Sequence, residues 1–569
     1  CQSLDSSLLP GMMRCFGNPN RESRGFVLRR NFLQTIAGAV IASLAGLRSG
    51  RAQGNEALRF DHGVASGDPL SDGFILWTRV SGAAGGSLPV RWLVASDASM
   101  KQVLRHGIVW TDAWSDYTVK ADVRGLTPGS TYFYCFEINE ARSPIGRTRT
   151  LPVGAVAAAR FAVVSCSNHP AGYFNVYRDI ARQDDLDAVV HLGDYIYEYG
   201  LGEYATEYAE KLGRLPEPSG EVTTLADYRR RHAQYKADPD SIAMHGKHPL
   251  IAVWDDHEIA NDAWRGGAQN HQDDEGRWSE RRDAALRAWF EWMPVRGAPK
   301  GADTRIFRDF RYGDLMSLIM LDTRLYGRDR QADAGNSVTP ETVSAALQDP
   351  ERRMLGARQE GWLRRTLAAN ADTTWQVIGQ QVMLAPVRAP ELGPILDLER
   401  PSMLPREQLD HYVALSEGNP PMVLDTWNGY PHAREAFLGD LEEFARNPVV
   451  LSGDLHTSMA NDVYRHGGDT PVAVEIMPPA VSSPGFDEYL PLREPGALSD
   501  ATRAINPAVR YMDTRQRGWV HLSVTSDACT AEWRLVDTVH SRDYTAVVDA
   551  RFTVAAGEVT AGLRNVRGE

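Results

Sequence analysis

Cysteine is scarce in this chain: there are five among 569 residues, and two of them, Cys1 and Cys15, fall in a basic leading segment. The other three, Cys135, Cys166 and Cys529, are too few for a disulfide framework, so the fold must rest on buried apolar surface even in an oxidising compartment. Positive charge is in deficit, with 61 Lys and Arg against 74 Asp and Glu. The net charge of −13 excludes a general binder of nucleic acid or of anionic membrane, and no stable nucleic-acid partner is expected. No repeat and no low-complexity tract interrupts an ordinary globular composition, 43% apolar and 24% charged. The length calls for roughly two or three domains.

The leading segment breaks that pattern. Arg14, Arg21, Arg24, Arg29, Arg30, Arg48 and Arg51 face only Asp5 and Glu22, and the apolar run Thr35 to Leu47 is too short to span a bilayer comfortably. Arg29-Arg30-Asn31-Phe32-Leu33-Gln34 resembles a twin-arginine export signal, and Gly50-Arg51-Ala52 offers a small-x-small cleavage site. Residues 1–52 are thus expected to be a signal peptide, delivering a folded, metal-loaded protein through the twin-arginine machinery to the periplasm or the exterior. A basic amphipathic arm is the alternative. Cleavage removes seven positive and two negative charges and leaves the mature part at −18.

Residues 53–152 alternate apolar and polar positions in VRWLVAS, YTVKADVRGL and STYFYCFEIN, with turn signals such as Thr127-Pro128-Gly129 between them. They read as a small antiparallel β-sandwich, and LTPGSTYFYCF looks like a fibronectin-type strand and turn. From 153 to 569 strand runs alternate with helical stretches such as SERRDAALRAWFEWM, the pattern of an α/β domain whose many strands split into two packed sheets with helices outside. The Gly-, Pro- and Glu-rich stretches 200–222 and 390–422 read as long loops. Cys135 and Cys529, each in a strand run, read as buried structural thiols.

Four apolar runs end in clusters of metal-binding side chains: RFAVVSCSN, LDAVVHLGDYIYEY, HPLIAVWDDHE and NPVVLSGDLH. Open sheets gather ligands beyond the carboxyl ends of their strands, so Cys166, Asp194, Tyr197, Asp255, Asp256, His257, Asp454 and His456 can share one site. That many acids together resist ionisation unless cations hold them. In Gly193-Asp194-x-x-Tyr197 a carboxylate can bridge two metals while a phenolate reaches one, and a hard phenolate suits trivalent iron. Cys166 would add a thiolate, and Asp454 and His456, two residues apart, reach the same side of a strand end. Arg265, shortly after the DDHE cluster, could clamp a phosphate oxygen, with an ordinary surface arginine as the alternative.

The order GDxxY, DDHE, GDLH resembles the calcineurin-like metallophosphoesterases and purple acid phosphatases. Asp256 in place of the Asn of GNH, Asp454 in place of the first His of GHxH, and Cys166 in SCSN narrow the resemblance to the alkaline phosphatase D (PhoD-type) family. FDHGVASGDP, LWTRV, LDTR and DTWNGYP extend it over nearly the whole mature chain, with one departure, Asn428, where Asp is expected. The resemblance implies a β-sandwich followed by a four-layer α/β/β/α catalytic domain. It further implies Fe(3+) held by Cys166, Asp194, Tyr197 and His456, and one or two Ca(2+) ions held by Asp194, Asp454 and Asp256, with Asn261 and Asp255 as further candidates. The implied reaction is hydrolysis of phosphate mono- or diesters, for which a metal-held hydroxide is the expected nucleophile. His257 is the residue expected to contact the phosphoryl group and protonate the leaving oxygen, with an orienting role beside the metals as the alternative. A phosphodiesterase of phospholipase D type acting on phospholipids or wall polymers is the nearest alternative, and a metal-stabilised binding protein is one of a different class. A serine-nucleophile phosphatase does not use the Tyr197 and GDLH elements. A monomer is expected.

Overall fold

The computed structural model describes residues 57–297, 305–332, 340–402 and 404–566. The twin-arginine motif and its cleavage site lie outside them. The described chain is a mixed α/β protein with sheets of ten, seven and five strands.

In the ten-stranded sheet, Ala158–Val164, Ala188–His191 and Leu250–Ala252 run parallel, each in register with the next (Val163↔Val190, Val190↔Ile251). In the seven-stranded sheet, Met316–Met320, Trp375–Gly379, Pro448–Leu451 and Pro471–Met477 do the same. These strands are apolar at nearly every position because both of their faces are covered. The period of two sorts the side chains: Leu318, Val377 and Val449 join Val163, Val190 and Ile251 in one apolar cluster between the sheets. Their neighbours Ile319, Ile378 and Val450 pack instead with Leu363 and Leu367 of the helix Ala357–Ala369 and with Phe437 and Leu441 of the helix Pro431–Phe444. The helices Asn175–Ala181, Leu225–Lys236 and Trp278–Trp292 pack into the first apolar cluster through Val176, Ile180, Tyr228 and Leu286, the last helix within one residue of its expected start.

Two features depart from the sequence reading. Val64–Leu70, Gly73–Arg79 and Thr118–Val123 extend the ten-stranded sheet, with Val64–Leu70 parallel to Leu250–Ala252 (Gly67↔Leu250). Gly67 permits that approach, since a Cβ there would sit 2.5 Å from the Leu250 carbonyl oxygen. The five-stranded sheet packs on this extension through Val90, Val94, Tyr134 and Phe136 against Phe74, Leu76 and Val119. The second departure is a helix, Arg406–Ser416, inside the stretch expected to be a loop. Its spacing of Leu409, Tyr412 and Leu415 buries one face against the second apolar cluster. Cys135 and Cys529 are buried free thiols, as expected.

Candidate metal centre

The carboxyl ends of four parallel strands, three from the ten-stranded sheet and one from the seven-stranded sheet, meet at one place. Ala158–Val164 leads to Cys166, Ala188–His191 to Asp194, Leu250–Ala252 to Asp255, Asp256 and His257, and Pro448–Leu451 to Asp454 and His456. The turns are locked to one another: the Cys166 amide donates to the Gly193 carbonyl at 3.2 Å, and the Val481 amide donates to the Ser165 carbonyl at 3.0 Å. Gln381 Nε2 donates to the Trp254 carbonyl at 2.8 Å and the Leu321 carbonyl at 3.0 Å, tying the sheets together. The glycine of the GD pair has a steric reason. Gly193 sits at φ 118°, and a Cβ there would lie 2.4 Å from the Cβ of Asp255.

Cys166, Asp194, Asp454 and His456 all take left-handed backbone angles, with φ of 62°, 55°, 70° and 53°. For residues with a Cβ this costs about 1–2 kcal/mol each, and such strain gathers where the surrounding structure over-determines a working geometry. It turns each side chain back across its strand end toward a common centre.

One half of the centre is mixed in chemistry. Ligand atoms of Cys166, Asp194 and His456 lie within 4.8 Å of one another. The Tyr197 Oη lies 3.0 Å from Asp194 Oδ2 and 3.1 Å from His456 Nε2, and it accepts from Ser483 Oγ at 2.7 Å. His456 Nδ1 is 2.9 Å from the Pro484 carbonyl, which fixes that nitrogen as the donor and leaves the Nε2 lone pair facing the centre. Burial pushes the Cys166 thiol and the Tyr197 phenol well above their ordinary values, with the Asp194 charge adding to both, and lowers His456 to about 3.

The other half is built of oxygen. Ligand atoms of Asp194, Asp255, Asp256 and Asp454 lie within 4.8 Å of one another, all buried. Burial and the neighbouring carboxyls push Asp194 and Asp454 well up and Asp255 to about 6. Burial works against ionising Asp256 too, but Arg324 and His257 outweigh it and hold this carboxyl low. Asn261 is fully buried, its side-chain Nδ2 donating to Gln269 Oε1 at 3.0 Å.

Three residues outside the expected ligand set organise the site. Glu198 accepts from His257 Nδ1 at 2.8 Å, from the Asn261 amide at 2.7 Å and from Asn270 Nδ2 at 2.8 Å. Burial alone would pull the His257 imidazolium down, but Asp256, Asp194 and Glu198 together raise its pKa well above the usual value. The ring stacks on Tyr197, centroids 4.3 Å apart. Glu258 gathers the amides of Asp194, Tyr195 and Asp255 at 3.0, 2.6 and 2.8 Å and so pins two ligand-bearing turns together. Arg324, of the LDTR motif, lies wholly buried among Asp255, Asp425 and Asp454. Arg265 stands apart from this cluster: its side chain is 56% exposed and paired with Asp329.

The residues fit bound cations on two counts. Asp194 Oδ1, Asp255 Oδ2, Asp454 Oδ2 and Asn261 Oδ1 are buried acceptors without a hydrogen-bond partner, a costly state unless something positive meets them. The acids Asp194, Asp255, Asp256, Asp425, Asp454, Glu198 and Glu258 also outnumber the cationic Arg324, Arg328 and His257 buried with them. The cluster is short of positive charge.

Comparison with known proteins gives one consistent result. The sequence model of a family described as PhoD-like phosphatase matches residues 161–533, and that of the PhoD-like phosphatase N-terminal domain matches residues 46–152. Alkaline phosphatase D of Bacillus subtilis (strain 168) is 32% identical over 562 residues, covering 95% of this chain and 89% of that protein. A solved structure titled "Structure of PhoD", also 32% identical, superposes with a TM-score of 0.77 over 90% of this chain and 92% of its own.

Proposed function

The chain belongs to the PhoD-like phosphatase family and is a phosphoric ester hydrolase, and from that premise we propose that its buried centre is a two-metal site working at neutral to alkaline pH. Membership sets aside the metal-stabilised binding protein. The observation that carries the reading is the set of orphaned oxygens on Asp194, Asp255, Asp454 and Asn261, which point to cations and not to a protein partner.

Cys166, Asp194, Tyr197 and His456 would hold Fe(3+), because thiolate, phenolate and imidazole gather on that side only. Asp194, Asp256 and Asp454, with Asn261 and Asp255, would hold Ca(2+), since an almost wholly oxygen shell suits calcium better than zinc. When bound, these ions supply Lewis acidity to the phosphoryl oxygens and make hydroxide available for in-line attack at phosphorus. The chain's own residues do the rest. His257 donates Nδ1–H to Glu198, which leaves Nε2–H free to protonate the departing oxygen. Tyr199 and Tyr204 stand against the same imidazole, Tyr204 also against His456, and Tyr489 stacks behind Tyr204. Arg265, already paired with Asp329, contributes weakly to phosphate binding.

We read the two facing sheets with their outer helices as a four-layer α/β/β/α catalytic domain spanning 153–569. Residues 53–152 are read as a β-sandwich formed by the five-stranded sheet against the strands it covers. The Arg29-Arg30 segment supports export in folded form through the twin-arginine machinery to the periplasm or beyond, and we take the exported enzyme to be a monomer. The test is elemental analysis of purified protein, with p-nitrophenyl phosphate and bis-p-nitrophenyl phosphate assayed before and after chelation. Iron near one per chain and activity restored by calcium support the reading, and the faster ester assigns monoesterase or diesterase action. Zinc without iron, or indifference to chelation, overturns it.

A further inference from the structure

Arg324 sits where a calcium site would be expected to gather only acids. It follows the strand Met316–Met320, and its turn is fixed before the side chain is considered: the Arg324 amide donates to Asp322 Oδ1 at 2.9 Å, and the Thr323 amide donates to Gln381 Oε1 at 2.9 Å. The guanidinium is wholly buried and meets a different carboxylate with each nitrogen. Nε reaches Asp255 Oδ1, Nη1 reaches Asp425 Oδ2, and Nη2 lies 3.0 Å from Asp454 Oδ1 and 3.6 Å from Asp256 Oδ1. Asp425 is braced from behind by Arg328 and by Gln331 Nε2 at 2.6 Å.

The consequence lies in which oxygens are left. On Asp255 and on Asp454, Oδ1 is taken by Arg324 while Oδ2 has no partner. Each carboxylate is thus divided, one oxygen anchored and the other offered. A planar fork spreads its donors over three nitrogens in fixed directions and so holds three separated acids at once, whereas an ammonium has all its donors on a single atom.

We propose that Arg324 is a positioning residue of the oxygen-rich half, orienting Asp255 and Asp454 so that each presents a single oxygen to a divalent cation. This rests on the metal reading above. A bare positive charge in that place would compete with the cation, so geometry and charge predict opposite results on removal. Partners of metal ligands typically carry about 10–100-fold in affinity.

The test is calcium titration by calorimetry on the iron-loaded protein after EGTA treatment, comparing wild type with Arg324→Gln and Arg324→Lys and measuring iron content alongside. Both variants are expected to bind calcium about 10–100-fold more weakly with iron content unchanged. Calcium bound equally or more tightly by Arg324→Gln overturns the inference, as does wild-type affinity in Arg324→Lys, because charge alone would then suffice. Should Arg324→Gln not fold, Arg324→Lys decides by itself, since it keeps the buried charge and loses only the fork. A wild-type protein that binds no calcium fails at the prior step, the metal reading, and takes the inference with it.

Discussion

Cys166, Tyr197 and His456 reach their corner of the centre as a neutral thiol, a neutral phenol and a neutral imidazole, whereas Asp255, Asp256 and Asp454 reach theirs as acids wrapped around a buried guanidinium. The first set is aimed by strained backbone and by hydrogen bonds that its members make to one another and to Ser483 and Pro484. The second is aimed by Arg324, which follows a strand of the seven-stranded sheet that carries Asp454 and reaches across to Asp255 at the end of a strand of the ten-stranded sheet. A neutral corner must shed protons to take a metal, so its occupancy depends on pH. The acidic corner must shed protons as well, since burial holds the Asp194 and Asp454 carboxyls well above their ordinary range, but there Arg324 already balances part of the charge.

Breaking the element common to both corners has the largest expected effect. Asp194→Asn removes the shared bridge and should lower kcat/KM by more than about 1,000-fold, with both metals lost by elemental analysis. Gly193→Ala should approach that loss by a steric route, since the new methyl would drive into Asp255. Its signature is a lowered melting temperature with reduced metal content, where Asp194→Asn alters metal content first. Cys166→Ser separates the corners: activity should fall by about 100-fold and iron content with it, while calcium affinity by calorimetry stays within about threefold of wild type.

Glu198→Gln sharpens the comparison without removing a ligand from either corner. Glu198 helps hold the His257 imidazolium well above its usual pKa, so removing that charge moves the pKa down. A group needed in its protonated form is then lost at lower pH, and the alkaline limb of the kcat profile shifts toward acid. Near the optimum, kcat should fall by about 10–100-fold with KM little changed. Arg265→Ala marks the small end of the scale. Its exposure and its pairing with Asp329 imply a change in KM of about threefold or less.

The four strand-end clusters were legible because the signal is local: a short apolar run, then a ligand within two or three residues of its end. The helical stretch at 279–293 was legible for the same reason. Arg324 and Asp425 were quoted in motifs yet given no task, since nothing in LDTR or DTWNGYP says that their side chains meet across two loops. Glu198 stood in GDYIYEY beside Tyr197 and was equally mute, because one buried carboxylate looks like another until its partners are known. The parallel pairing of Val64–Leu70 with Leu250–Ala252 was invisible for the same physical reason. Alternation within a strand shows which face is buried and not which distant strand lies alongside.

The place of Ala158–Val164 in its sheet bears on the order of events during synthesis. This strand carries Cys166 and is flanked on one side by Arg517–Thr525, with Val163 opposite Val520. At ordinary elongation speeds the ribosome needs roughly 20–70 s to travel between those two segments. Through that interval the Cys166 strand lacks a neighbour, and His456 is itself translated late in it. A metal would therefore meet a full set of donors only after His456 has been made, late in synthesis, and a thiol exposed until then must be kept reduced by its surroundings.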